Sequence, residues 1–286
     1  MDMTAGPVSG VARVADGVDL AYTLHGDESA GARRFVLIHS LALNREVWAP
    51  VAERLAARAR VLTYDCRGHG ASTRAPGPYS VELFAADLAA LLDAIGWRSA
   101  IVAGASMGGS IAQAFAVAYP DRVEALGLVD TTAWYGAEAP QQWQARARKA
   151  EEAGLASLLD FQVTRWFGDQ FRSEHPELLR RLREVFVANE VGCYVATCGM
   201  MGAFDLREGI AGLRLQTAVI VGEEDYATPP DMARVIHAAI PGASLDVLPA
   251  TRHLSPLERP DEIATLLIRL ADRASGIRAI NGPAAP

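Results

Sequence analysis

The sequence predicts an α/β fold, with a mostly parallel eight-stranded sheet flanked by helices and an inserted helical cap. Short apolar runs alternate with stretches of helical spacing, and such alternation means parallel strands joined by crossover helices. The runs in RFVLIHS, SAIVAG and LQTAVIVGEED are continuously apolar, as strands buried on both faces must be. The alternation stops from about Ala133 to Leu213, where only helical periodicity is found, and then resumes.

Taken in order, VARVADGVDLAYTLHG (Val11 to Gly26) reads as a β-hairpin turned at Asp16-Gly17. RFVLIHS (Arg34 to Ser40) is a buried strand, and REVWAPVAERLAARA has helical spacing. RVLTYDCRGHGAS gives a strand ending near Asp65 and then a glycine-rich loop. Ser80 caps an amphipathic helix, SVELFAADLAALLDAIG, that Gly96 closes. SAIVAG and DRVEALGLVDTT are further strands. The insert carries Trp134, Trp143, Trp166, Phe167, Phe171 and Tyr194 among Arg and Glu. A helical insert between two halves of a sheet packs over the strand carboxyl ends as a lid. DMARVIHAAI, ASLDVLPA and DEIATLLIRLADR complete the resumed alternation. Residues 1–132 and 214–275 are therefore expected to form the core and 133–213 the cap, with 276–286, ending in NGPAAP, a loose tail.

Composition narrows the function. The 286 residues suit one large domain with an insert, and 50% of them are hydrophobic. A net charge of −7 argues against nucleic acid, which needs a basic face. Arg146, Arg148 and Lys149, and likewise Arg180, Arg181 and Arg183, have Glu nearby and read as solvated helix faces. Cys66, Cys193 and Cys198 are odd in number and lack the spacing of a disulfide framework. MDMTAGPVSG has neither a positive nor an apolar leader region, so a cytoplasmic protein is expected. The histidines and carboxylates show no metal-ligand spacing, and neither metal nor cofactor is expected.

IVAGASMGGSIAQAFAVAY, from Ile101 to Tyr119, contains no charged residue. It has the length of a membrane span, but its centre, Ser-Met-Gly-Gly, is a poor helix interior. It is not a phosphate loop either, because no Lys-Ser or Lys-Thr follows the glycines. Gly104-Ala105-Ser106-Met107-Gly108 instead reads as G-x-S-x-G between a strand and a helix. That string alone is weak, since Gly, Ala and Ser are common; the strand before it and the helix after it give it weight. A serine in such a turn sits on strained backbone with its Oγ exposed above the sheet. Gly104 and Gly108 remove side chains that would strike neighbouring backbone, and Gly109 and Ala112 let the helix lie close to the sheet.

A serine nucleophile needs a base, and the base an orienting acid. In this topology they follow at later strand ends, acid first. Asp225, in VIVGEEDYATPP, and His253, in LPATRHLSPLERP, occupy such positions. Glu223, Glu224 and Asp130 compete as the acid, and Asp130 is the serious rival because it also ends a strand. His25 and His237 fall in a hairpin strand and a surface helix, and His175 precedes a proline in the cap. His69 reads as structural and His39 as a pocket wall. The oxyanion needs two backbone donors, expected to be the N–H groups of Met107 and Leu41.

The blocks LIHSLALNREVW, YDCRGHGAS, GASMGGSIAQAFA, YPDRVEALGLVDT, GEEDYATPP and RHLSPLERPDE resemble the α/β-hydrolase superfamily, from about Val11 to Leu270. Within it, RGHGAS, GPYSVE, ASMGG, RWF and HLSPLE are similar to the 3-oxoadipate enol-lactonases. The resemblance implies Ser106 as nucleophile, Asp225 as acid and His253 as base, under a helical cap. It also implies a carboxylate-bearing substrate and cationic side chains near the pocket. Where the family places them, this chain has Trp134 and Gly202, inside TTAWYG and CGMMGAFD. Aromatic and Met side chains there suit an apolar acyl or lactone group. Most of the cap's aromatic and Met residues read as its own core, with Trp134 and Trp166 as pocket candidates.

The expectation is a hydrolase that opens a small-molecule lactone or ester, with no nucleic-acid or membrane partner; a homo-oligomer is left open. Two other functions fit the same residues: cleavage of a carbon–carbon bond or peroxide formation on the same triad, and ligand binding by a hydrolase scaffold without catalysis.

Overall fold

The computed structural model describes residues 6–28 and 33–281. Its strands are β1 (Val8–Arg13), β2 (Asp19–His25), β3 (Arg34–Ile38), β4 (Arg60–Tyr64), β5 (Ala100–Ala105), β6 (Val123–Val129), β7 (Thr217–Gly222) and β8 (Ser244–Leu248). They form one sheet in the order β1-β2-β4-β3-β5-β6-β7-β8. β1 and β2 pair antiparallel, Arg13 opposite Asp19, and β2 pairs antiparallel with β4; every later pair is parallel. The hairpin turn carries positive φ at Asp16 (60°) and Gly17 (71°), the two residue types that tolerate it best.

The helices are α1 (Ala49–Ala56), α2 (Val81–Ala94), α3 (Met107–Ala118), α4 (Ala139–Ala153), α5 (Leu159–Trp166), α6 (Asp169–Glu174), α7 (Pro176–Val187), α8 (Val191–Ala203), α9 (Arg207–Ala211), α10 (Pro230–Ala239), α11 (Ser255–Glu258) and α12 (Pro260–Asn281). Successive strand residues point to opposite faces, so each strand feeds two cores. Val36, Ile38, Leu62, Tyr64 and Val102 pack toward α2 and α3. Phe35, Leu37, Val61, Ile101 and Ala103 pack toward α1 and α12. Ser80 caps α2 by accepting the Leu83 N–H at 3.2 Å.

Helices α4 to α9 occupy the interval between β6 and β7. At Gly202 on α8, an added Cβ would meet the Trp143 Cβ of α4 at 3.2 Å. The glycine thus serves a close helix crossing. Among the described residues no single helix is long and apolar enough to cross a membrane. The uncharged stretch from Ile101 is a buried strand followed by a buried 12-residue helix.

The loose tail expected at 276–286 is corrected in part. α12 continues to Asn281, and 282–286 lie outside the described residues. The segment Ile277-Arg278-Ala279-Ile280 contains no helix breaker; the first comes at Gly282-Pro283.

Candidate active site

Ser106 stands between β5 and α3, as the N-cap of α3, with φ 54° and ψ −118°, a strained conformation costing on the order of 1–3 kcal/mol. Its neighbours hold it there. Its N–H donates to Val129 O at 2.9 Å, and the Thr131 hydroxyl donates to its carbonyl at 2.7 Å. An added Cβ at Gly104 would lie 2.0 Å from Gly108 O, and one at Gly108 would lie 2.1 Å from Ile38 O. At Gly109 it would strike the Thr131 side chain at 2.5 Å. The glycines around Ser106 are therefore space requirements of the turn.

The loops after β7 and β8 bring two further groups to this serine. His253 Nε2 lies 2.8 Å from Ser106 Oγ, and His253 Nδ1 lies 2.8 Å from Asp225 Oδ2. A carboxylate accepts only, so Nδ1 carries the proton and Nε2 is free to take the serine's. Asp225 Oδ1 accepts the N–H groups of Ala227 (2.7 Å) and Thr228 (3.0 Å), and Oδ2 accepts the Thr228 hydroxyl at 2.9 Å. Burial pushes the Asp225 carboxyl up, but the charge of His253 and these hydrogen bonds outweigh it, and the group lies below its ordinary value. Thr228 was not anticipated, although its place three residues after Asp225, in a turn that its hydroxyl can close, is a readable signal.

Asp130, the rival acid, is turned away from the histidine. Its carboxylate accepts Gly222 N–H at 3.1 Å and the N–H and hydroxyl of Ser255 at 3.0 and 2.6 Å. Burial, and then the nearby Asp225 charge, push it well above the ordinary carboxylate value. It ties the ends of β6 and β7 to the start of α11.

Neither Leu41 N–H nor Met107 N–H has an acceptor among the described residues, and the Leu41 and Ser106 side chains line one cavity. His39 is a correction: it is fully buried and lines no part of that cavity. Its Nε2 accepts Cys66 N–H at 2.9 Å, leaving Nδ1 to donate to Ser40 O at 2.8 Å. His69 Nδ1 meets Arg67 O at 2.9 Å. His25 stands in β2, and His175 and His237 are exposed.

The cavity over Ser106 is small, about 60 Å³, and is walled by Tyr135, Trp143, Arg146, Gln162, Arg165 and Trp166 from the insert side. It shares Tyr135, Trp143, Arg146 and Arg165 with an outer cleft of about 640 Å³ that also reaches Lys149. Trp166 is thus brought to the site, but Trp134 is not. Trp134 forms a β-bridge with Asp205, and its ring lies 3.6 Å beneath the Arg207 guanidinium. On extended backbone, adjacent side chains point to opposite sides, so Tyr135 faces the cavity in its stead.

The expected apolar pocket is also corrected. Arg146 and Arg165 line it, and neither has a carboxylate partner among the described residues. Arg146 donates through Nε to the Tyr194 hydroxyl at 2.5 Å, while its buried Nη2 has no partner. Burial, and then the like charge of Arg146, lower the Arg165 guanidinium from its ordinary value. Arg146, read from sequence as part of a solvated face, therefore turns toward the cavity, whereas Lys149 stays exposed at the outer cleft and Arg180 pairs with Glu177 and Glu184 on the surface as expected. Among the described residues no group of three or more His, Cys, Asp or Glu is arranged to hold a metal ion.

The family model described as the alpha/beta hydrolase fold matches residues 33–260. The chain is 31% identical to 3-oxoadipate enol-lactonase 2 of Acinetobacter baylyi, over 86% of this chain and 90% of that one. It is similar in structure to an enol-lactonase from Burkholderia xenovorans, with a TM-score of 0.88 and 34% identity, covering 92% of this chain and 100% of the other. A thermophilic esterase from Thermogutta terrifontis superposes with a TM-score of 0.85 at 27% identity, over 94% of this chain and 99% of its own.

Proposed function

The chain belongs to the α/β-hydrolase family, and on that footing we propose that it is a serine hydrolase opening a lactone or carboxylic ester that itself bears a carboxylate. The observation that carries the reading is the relay from Ser106 through His253 to Asp225, with both links at 2.8 Å. As Ser106 Oγ adds to the substrate carbonyl, its proton passes to His253 Nε2, and Asp225 stabilises the imidazolium. The N–H groups of Leu41 and Met107 hold the oxyanion. When the tetrahedral intermediate collapses, the carbon–oxygen bond to the leaving group breaks and His253 returns the proton to the departing oxygen. Water activated by the same histidine then frees the acid from Ser106. The helical insert serves as the cap over these steps.

The charge of the substrate follows from the cavity. Two guanidinium groups line that cavity, neither paired with a carboxylate among the described residues, and a substrate carboxylate would relieve their like-charge repulsion and satisfy Arg146 Nη2. The relatives named for 3-oxoadipate enol-lactone support the same class, since that lactone keeps one free carboxylate. The test is Ser106→Ala: kcat falls by on the order of 10⁴-fold or more while the fold is kept. A fluorophosphonate ester labels the wild type and not the variant. Near-normal turnover by Ser106→Ala would sink the reading.

A further inference from the structure

Tyr135 is the one phenol lining the cavity over Ser106 among the described residues. Its ring is gripped edge-on by Trp143 (centroids 5.3 Å, planes at 74°) and by Phe204 (5.7 Å, 77°). Two near-perpendicular contacts fix the ring plane and so the place of its hydroxyl. Tyr135, Ser106 and His253 line the same cavity of about 60 Å³, so the phenol stands across a narrow space from the serine. The serine's single proton is already engaged with His253 Nε2 at 2.8 Å, so the phenol is the hydroxyl in this cavity with a proton to offer an oxygen of the substrate. Burial pushes the Tyr135 phenol well up from its ordinary value, which keeps it protonated as a donor.

A group that lines this small cavity from the insert side also faces the carbon that Ser106 Oγ attacks. On that carbon the oxyanion turns toward the Leu41 and Met107 N–H groups. The departing oxygen must lie within reach of His253, which is itself 2.8 Å from Oγ. His253 and Tyr135 both line the cavity that must hold this oxygen. Resting on the serine-hydrolase reading above, we propose that the Tyr135 hydroxyl donates a hydrogen bond to the departing oxygen of the lactone or ester as its bond to the acyl carbon breaks. The bonding pair passes to that oxygen, and His253 delivers the proton it took from Ser106. Tyr135 keeps its own proton and shares it only as a hydrogen bond, so no other reactant is consumed.

The test is Tyr135→Phe, which keeps both ring contacts, assayed on ethyl, phenyl and p-nitrophenyl esters of one acid. A leaving group that carries charge poorly needs the donor most. kcat/KM should fall about tenfold to a hundredfold for the ethyl ester and less than about threefold for the p-nitrophenyl ester. An equal loss on all three esters, or no loss, overturns the proposal. Should the variant lose its fold, the wild-type series decides: a shallow dependence on leaving-group acidity supports the donor, and one as steep as alkaline hydrolysis in solution overturns it. Ser106→Ala run beside them separates the two readings. If it hydrolyses these esters, the serine mechanism itself fails. If it is inert while Tyr135→Phe loses activity evenly, only the role of Tyr135 fails.

Discussion

At the residue scale, Ser106 is held by opposing demands. Its backbone is strained at φ 54°, and the space for that strain is cleared by glycines on either side. Its hydroxyl is satisfied by His253, which Asp225 orients. Asp225 and Asp130 both end strands and both are buried, yet only Asp225 meets the histidine. Asp225→Asn should therefore lower kcat by about 10⁴-fold, through the wrong imidazole tautomer. Asp130→Asn should act on stability, with kcat kept within about tenfold. Steady-state rates of the two variants beside their melting temperatures check this. Asp225 also sets a pH dependence. Its folded-state pKa is below the unfolded value, so its stabilisation is present above the ordinary carboxylate range and is lost as pH falls through the lowered value. A melting-temperature series toward acid should fall less steeply for Asp225→Asn than for the wild type.

At the scale of elements, the meeting of β5 and α3 is the tightest requirement. Gly108→Ala places a methyl 2.1 Å from Ile38 O, against backbone that cannot rotate away. It should cost about 3 kcal/mol or more, read as a drop in denaturation midpoint. Helix α4 gives the complementary prediction. Arg146→Ala should raise KM for an anionic lactone about tenfold to a hundredfold and change a neutral ester less than about threefold. These two elements also show why some of the site was readable from sequence. The serine turn is local: strand, glycine spacing and helix lie within one short segment. His253 and Asp225 were legible because topology puts them at strand ends. Arg146 was not, because the sequence of α4 shows a basic stripe but not which neighbour it faces. That depends on α8 crossing at Gly202 and on α5 supplying Arg165. Trp134 and Tyr135 were exchanged for a similar reason: on extended backbone a shift of one residue reverses the side chain.

Across the whole molecule, net charge and site charge have opposite signs. The chain carries −7, yet Arg146, Lys149 and Arg165 line the way to Ser106. The proposed carboxylate-bearing substrate would be repelled at a distance and held close in by Arg146 and Arg165. Arg146 and Arg165 are partly buried, so their attraction resists screening, whereas the long-range repulsion is damped within a Debye length of about 8 Å at physiological salt. The insert is also tied to the histidine loop. His253 N–H donates to Arg165 O at 3.3 Å, Leu254 N–H to Trp166 O at 3.1 Å, and Arg252 reaches Thr164 O at 2.7 Å. The α5 side of the cavity thus forms a fixed wall. Amide exchange at 253–254 should be as slow as in the core strands, checked by mass-resolved hydrogen exchange. The most direct test of the central claim is kcat/KM for 3-oxoadipate enol-lactone beside a neutral lactone of the same ring, with Ser106→Ala as control. A strong preference for the anionic lactone, abolished in Ser106→Ala, is the expected result. Equal or better turnover of the neutral lactone would contradict it.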